Sequence, residues 1–451
     1  MGAAKEAEVR GVYHRDLYDA SQPVASWWEA STPAGPPRPA LQGDHATDVA
    51  IVGAGYAGLS CALRLAERGI GAVALDSGAV GWGASGRNGG FVGLDSDMLG
   101  EAGRIARFGE AEARACADAF LQGAERLATF CAARGIETQG RAETLVAPHA
   151  RAFATMKAAA AAHRFGPAPE VVTAAAYGEQ GFDGPLQHGA LRLRPGFALH
   201  PLALARALAE AAEAAGAGIF ERSEVLAWRR EGAAHLLETA QGALRARRVV
   251  LATNGFTPDA LHPAFAGRTI PVLSMIGVTR PLTEEERAAH RWREDGPVVT
   301  ARRMLHYYRM LPQGRLLFGM RGDLSGADAT GPAMRRRIGA EIAALFPLWA
   351  GVEIEFFWRG PICATGALRP GVGRLTEDAS VHHAFGWHGS GVNGAQVAGR
   401  LLADVIAGAP ETAIPAPLRG LPPRIPLPGL RRLWVGAAVA GFRALDAWEA
   451  R

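Results

Sequence analysis

Lysine is nearly missing from this chain. Lys5 and Lys157 are the two lysines among 48 basic residues, so the other 46 are arginine. Coding bias accounts for so lopsided a ratio, yet it excludes any mechanism that needs a lysine in the second half of the sequence. Cysteine is scarce as well. Cys61, Cys116, Cys131 and Cys363 form no CxxC pair and stand at no metal-ligand spacing from histidine, which argues for reduced thiols in a cytoplasmic protein and for no metal centre. No apolar run approaches the ~18 residues of a membrane span. The nearest, Leu433 to Leu445, is broken by glycines and Arg443. Lys5, Glu6 and Glu8 stand where a secretory leader would need apolar residues. Charge is not concentrated either: a net +4 over 451 residues is too dilute for a nucleic-acid partner. The densest basic cluster, Arg335 to Arg337 near Glu341, reads as a solvated helix face. What remains is 49% hydrophobic and 20% charged, enough for two or three globular domains.

Residues 1–46 read as an irregular lead-in, with Trp27 and Trp28 ahead of a proline-rich stretch from Pro33 to Pro39. A βαβ opening follows. Strand Asp48–Val52 runs into a glycine turn, an alanine-rich helix reaches about Arg68, and a second strand, Gly71–Leu75, ends at Asp76. Residues 97–165 read as helical. A helix at Pro201–Ala215 precedes short strands and a buried one at Arg248–Ala252. Residues 270–360 are β-rich, with a hairpin of Leu305–Leu311 and Arg315–Arg321 and one helix, Ala333–Phe346. The pattern then closes on strand Val381–Trp387, a glycine turn and helix Ala395–Ala407. This order predicts an α/β nucleotide-binding domain interrupted by a largely antiparallel sheet.

The run Gly53-Ala54-Gly55-Tyr56-Ala57-Gly58 sets GxGxxG between a strand and a helix. Gly53 permits the tight turn, Gly55 lets the backbone approach a pyrophosphate, and Gly58 allows close packing of helix on strand. The helix N-terminus offers N–H groups and a positive dipole end to phosphates. Asp76, at the end of the second strand, is placed to accept hydrogen bonds from ribose hydroxyls. The small-residue segment Gly83 to Gly90 can pass close beside a flat cofactor. Thr253-Asn254-Gly255 ends a buried strand, and Gly389 to Gly394 opens the last long helix, whose N–H groups can stabilise negative charge on a reduced ring.

Together these segments resemble the D-amino-acid oxidase (DAO) family of FAD-dependent oxidoreductases, most of all its gamma-glutamylputrescine oxidase branch. The resemblance runs from Ser26-Trp27-Trp28 through Tyr307-Tyr308-Arg309, Trp358 to Gly373 and Gly386 to Gly394, with Gly83 to Gly90 its most specific part. It implies an α/β fold: a glutathione-reductase-type, Rossmann-like FAD-binding domain from residues 47–95, 196–275 and 361–420, and an antiparallel-sheet α+β substrate domain from 96–195 and 276–360. Residues 421–451 would be a tail. By position, Gly53, Gly55 and Gly58 would hold the pyrophosphate, with Tyr56 and Ala57 also cofactor-binding, and Asp76 would hold the adenosine ribose, although most relatives have Glu there. Val225 would meet adenine, and Thr253, Asn254 and Gly255 the nucleotide. Ser85, Arg87, Asn88, Gly89 and Gly90 would lie against the flavin and its ribityl chain, and Gly391, Val392 and Asn393 at the pyrimidine end. FAD is expected to be non-covalent, since the loop where relatives attach it has no cysteine or histidine.

The implied reaction is oxidation of an amine or amino acid by hydride transfer from the α carbon to flavin N5. The imine then hydrolyses, and O2 reoxidises the flavin with release of H2O2. Relatives that activate oxygen with a lysine near N5 have no counterpart here, so a dehydrogenase using a quinone or protein acceptor is an alternative, as is a flavin-binding protein without turnover. Candidates for the substrate side are His306, Tyr308, Trp358 and His388. Strand alternation puts Tyr307 and Arg309 on one face of Leu305–Leu311, His306 and Tyr308 on the other. Arg309 either pairs a substrate carboxylate or makes a structural salt bridge. Trp358 either walls the pocket or packs the core, and Arg359 either attracts anions or lies at the surface. Trp27 and Trp28 either cap the cavity or staple the lead-in.

Overall fold

A computed structural model describes residues 11–450; the reading of Lys5, Glu6 and Glu8 falls outside them. The strand Gly43–Val52 is the centre of the first sheet. It runs parallel to Ala72–Leu75 on one side and Gly242–Leu251 on the other, with Val49 opposite both Ala72 and Arg248. Gly218–Phe220 extends the first edge, and Val381–Phe385 lies parallel to Gly242–Leu251. Where the strands run parallel both faces are covered, which is why Val49–Val52 and Val249–Leu251 are continuously apolar. Val49 and Ile51 join the cluster under the helices, while Ala50 and Val52 join the opposite cluster around Leu237 and Phe385. The helix Tyr56–Glu67 packs between Pro201–Ala214 and Gly391–Ile406. Close crossing of the last pair depends on Gly399, where a Cβ would stand 2.3 Å from the Ala57 carbonyl oxygen.

The second sheet also has eight strands, in the order Ile354–Ala364, Ile270–Pro281, Arg315–Arg321, His306–Met310, Val298–Thr300, Glu143–Val146, Gly189–Leu193 and Glu170–Thr173. All neighbours are antiparallel except Val298–Thr300 with Glu143–Val146. The helix Gly331–Leu345 covers one face over a core of Tyr308, Phe318, Phe346 and Trp349. The other face looks toward the first sheet.

Three features depart from the sequence reading. Residues 97–165 are not uniformly helical: between helices Glu110–Ala133 and Ala150–Ala161 lies the strand Glu143–Val146, too short for its alternation to stand out beside alanine-rich helices. The strands Ile270–Pro281 and Ile354–Ala364 run across the boundaries expected at 275 and 360, and both belong wholly to the second sheet. The tail contains a 19-residue helix, Arg431–Glu449. Among the described residues, no helix is long and apolar enough to cross a membrane.

Candidate active site

Two cavities lie at the junction of the sheets. The smaller, about 120 Å³, is lined by Gly53, Gly55, Asp76, Val225 and Thr253 among others. The larger, about 360 Å³, is lined by Tyr56, Ala57, Ser85, Arg87, Asn88, Gly89, Asn254, Gly391 and Val392 on its inner side. Gly55, Ala84, Ser85 and Ala252 border both, so the two form one elongated space past the glycine turn. An adenine-to-flavin dinucleotide has this shape: a narrow nucleotide end and a wide ring end.

The turn is built to keep the space open. Gly53 has φ +102°, in the region that favours glycine. A Cβ on Gly58 would stand 1.9 Å from the Gly53 carbonyl oxygen, so helix and turn touch only because it is glycine. Asp76 holds the turn rather than pointing freely: one carboxylate oxygen accepts from Ala54 N at 2.7 Å, the other from Gly78 N at 3.0 Å. Burial nevertheless lifts its pKa to about 6. Tyr56 N donates to Ser85 Oγ at 2.9 Å, joining the helix after the glycine turn to the Gly83–Gly90 loop. In that loop Asn88 Nδ2 donates to the Ala84 and Ser85 carbonyls and Oδ1 accepts from Gly90 N. Arg87 donates to the Trp82 and Arg359 carbonyls and lies over the Trp82 ring, and burial pulls its pKa down to about 10. Asn254, at φ +49°, accepts from Gly386 N and so ties two walls together. These residues fit FAD, with the backbone of the glycine turn and two helix N-termini as the polar surface for it.

Some expected contacts sit behind the walls. Gly58, Gly90 and Gly255 shape the backbone without lining either cavity. Asn393 turns away: its Nδ2 donates to the Gly93 and Phe120 carbonyls.

The substrate-side candidates divide differently from expectation. His306 and Tyr308 face away from the larger cavity, because alternation gives that face to Tyr307. Tyr308 stacks on Phe318 in the aromatic core, and His306 lies 3.4 Å from Glu341, its imidazole held neutral by burial, near a pKa of 3. Trp358 is likewise outside the lining; its Nε1 donates to the Arg87 carbonyl, and it meets Trp28 edge to face. His388 is buried behind the Gly389–Val392 turn, where its backbone carbonyl accepts from Arg321. Arg309 makes structural hydrogen bonds to Gln139 and the Leu199 carbonyl. Arg359 is buried too, paired with Asp323 at 2.6 Å. Trp28 staples the lead-in, donating to the Asn88 carbonyl.

What the larger cavity does present is Arg321, Tyr307, Ser274, Asp95 and Glu143, among apolar Ile276, Leu145, Val299 and Leu305. Loss of water around Glu143, with Asp95 adding to it, lifts its carboxyl to about 7. Desolvation raises Asp95 and lowers Arg321. The sequence reading missed the two acids and Arg321. Arg321 stands out only in the fold, where it pairs with Ser274, two residues along from the Gly319–Tyr307 pair, and so shares their face.

The comparisons with known proteins agree with this geometry. Residues 48–405 match the family model described as "FAD dependent oxidoreductase" (DAO). The chain is 30% identical over 395 residues to gamma-glutamylputrescine oxidoreductase of Escherichia coli, covering 86% of this chain and 90% of that protein. It is also 30% identical to a probable oxidoreductase of Haemophilus influenzae, covering 83% and 85%. The crystal structure of glycine oxidase from Geobacillus kaustophilus superposes with a TM-score of 0.67 at 21% identity, covering 84% of this chain and all of that one. With glycine turn, acid, the Gly83–Gly90 loop and a family match spanning most of its length, this chain belongs to the DAO family of FAD-dependent oxidoreductases, enzymes acting on CH–NH and CH–NH2 donors.

Proposed function

We propose that the protein oxidises an amine or amino acid at the carbon bearing nitrogen, with FAD held non-covalently in the joined cavities. The observation that carries this reading is the continuity of the nucleotide space with a wide cavity whose far lining bears both signs of charge. When bound, FAD supplies the two-electron acceptor. The chain's own residues orient the substrate. Arg321 is suited to a carboxylate and Tyr307 to a polar group beside it. Glu143, near neutrality, can take the proton of an arriving ammonium so that the nitrogen lone pair is free. Ile276, Leu145, Val299 and Leu305 keep the reacting end dry. Similarity to a gamma-glutamylputrescine oxidoreductase supports a substrate with ammonium and carboxylate on one molecule.

In this reading O2 reoxidises the flavin and H2O2 leaves. A second acceptor class, a quinone or protein, is favoured by one observation: the single lysine among the described residues, Lys157, is exposed on a helix away from the cavity. An anaerobic screen of amines and amino acids, following loss of the flavin's yellow band, tests the proposal. Bleaching by members of this class is expected; a flavin left yellow by all of them overturns it. Peroxide release in air against dye-coupled turnover then separates the acceptors.

A further inference from the structure

The helix Arg431–Glu449 is turned opposite to an ordinary surface helix. Its two acids and Arg431 face the protein. Asp446 accepts from the backbone N–H groups of Arg303 (3.1 Å) and Met304 (2.9 Å). Glu449 accepts two bonds from the Arg303 guanidinium, and Arg431 donates to the Thr269 carbonyl and pairs with Asp259. Val435 and Val439 complete the buried side. At about 100° per residue, the outer arc carries Leu433, Trp434, Leu445 and Trp448 with only alanine and glycine between them. Leu433 is 67% exposed and Trp448 59%. Exposed Leu427 and Leu430 extend the surface ahead of the helix. A contiguous apolar face of this kind marks a place of contact.

We infer that this arc rests on an anionic lipid surface. Exposed Arg432 and Arg443 border it along one edge, and the two acids of the helix are engaged inward. Of the five arginines from Arg419 to Glu449, Arg431 pairs with Asp259 and Arg419 lies 3.9 Å from Glu112, which leaves Arg424, Arg432 and Arg443, while Arg303 takes both carboxylates of the helix. Tryptophan and leucine bordered by arginine match the acyl–headgroup boundary of an anionic bilayer, and a helix unable to span lies flat there. A second copy fits less well, because pairing two such arcs brings arginines together with no carboxylate to meet them. The helix is also fastened beside the candidate active site: Met304, held by Asp446, directly precedes Leu305 in the cavity lining.

Flotation of the flavin-loaded full chain with vesicles tests this. With equal parts phosphatidylglycerol and phosphatidylcholine, recovery is expected to exceed that with phosphatidylcholine alone about tenfold. The double variant Leu433→Glu/Trp448→Glu, with flavin content intact, is expected to stay unbound. Absence of flotation on anionic vesicles, or equal flotation of the variant, overturns the inference. So does a dimer by light scattering that the same variant dissolves, which assigns the arc to a second copy. Should the variant misfold, quenching of wild-type tryptophan fluorescence by brominated lipids decides: quenching supports the inference and its absence overturns it.

Discussion

Tyr307 reaches across an entire strand to Ser274. Their hydroxyls are 2.8 Å apart although Arg315–Arg321 lies between the strands that carry them. The tyrosine ring passes over Gly319, where a Cβ would stand 2.0 Å from ring carbon Cζ. Both hydroxyl-bearing residues line the larger cavity, so a glycine outside the lining sets the position of two groups within it.

Gly319→Ala is therefore expected to push the ring away, destabilising the protein by about 1–3 kcal/mol as overpacking does. Turnover should fall while flavin absorbance is retained. Thermal unfolding and kcat/KM measured side by side check this; an unchanged kcat/KM would count against the ring's role.

Arg321→Met removes the cation facing the cavity. For substrates with a carboxylate, KM is expected to rise about tenfold or more, the loss of a charged hydrogen bond worth roughly 1.5–3 kcal/mol. Plain amines should be affected little. Equal losses on both substrate classes would show that Arg321 acts through its bond to the His388 carbonyl instead.

Glu143 links stability to pH. Its carboxyl stands at about 7 in the folded chain against an ordinary 4.5. Below 4.5 both states hold the proton and nothing is lost. Between 4.5 and 7 the unfolded chain releases it while the folded chain keeps it, so stability falls as pH rises, and above 7 the cost is complete. Glu143→Gln should match the wild type near pH 4.5 and exceed it by about 1–2 kcal/mol at pH 8, the figure discounted because the cavity admits water. Urea unfolding at the two pH values measures the gap; a gap independent of pH refutes the assignment.

Asp323→Ala leaves Arg359 buried with only the exposed Asp328 carboxylate, at 3.5 Å. Breaking such a pair is expected to cost about 3 kcal/mol or more. The Thr330 hydroxyl and Ala327 carbonyl still accept from the guanidinium, so the loss should stay near the lower end of that range. Thermal unfolding checks it, and a shift within error would mean that the pair is solvated.

Gly55→Asp sets a carboxylate where a Cβ already meets Ser85 Oγ at 3.0 Å, between the two cavities. The purified variant should be colourless and folded. A fully yellow protein would move the cofactor elsewhere.

The nucleotide half of the site was legible because its constraints are local. Gly53, Gly55 and Gly58 act within one turn, and Asp76 follows at the end of the next strand. The substrate half was not, because its lining is gathered from strands distant in sequence. Glu143 comes from a four-residue strand hidden among helices, and Arg321 becomes meaningful only once its register with Ser274 is known. Alternation along His306–Met310 divided the two faces correctly, yet nothing in the strand itself says which face meets the cavity. Arg359 read as an anion site or a surface residue because its partner, Asp323, is 36 positions away.

The wide end of the joined space must serve the flavin ring and, in the proposed reaction, the substrate as well. A ring bound there first becomes the floor on which the second ligand stands. Colourless protein would then lack not only an electron acceptor but half of its specificity pocket. In that reading substrate affinity becomes a property of the loaded enzyme alone.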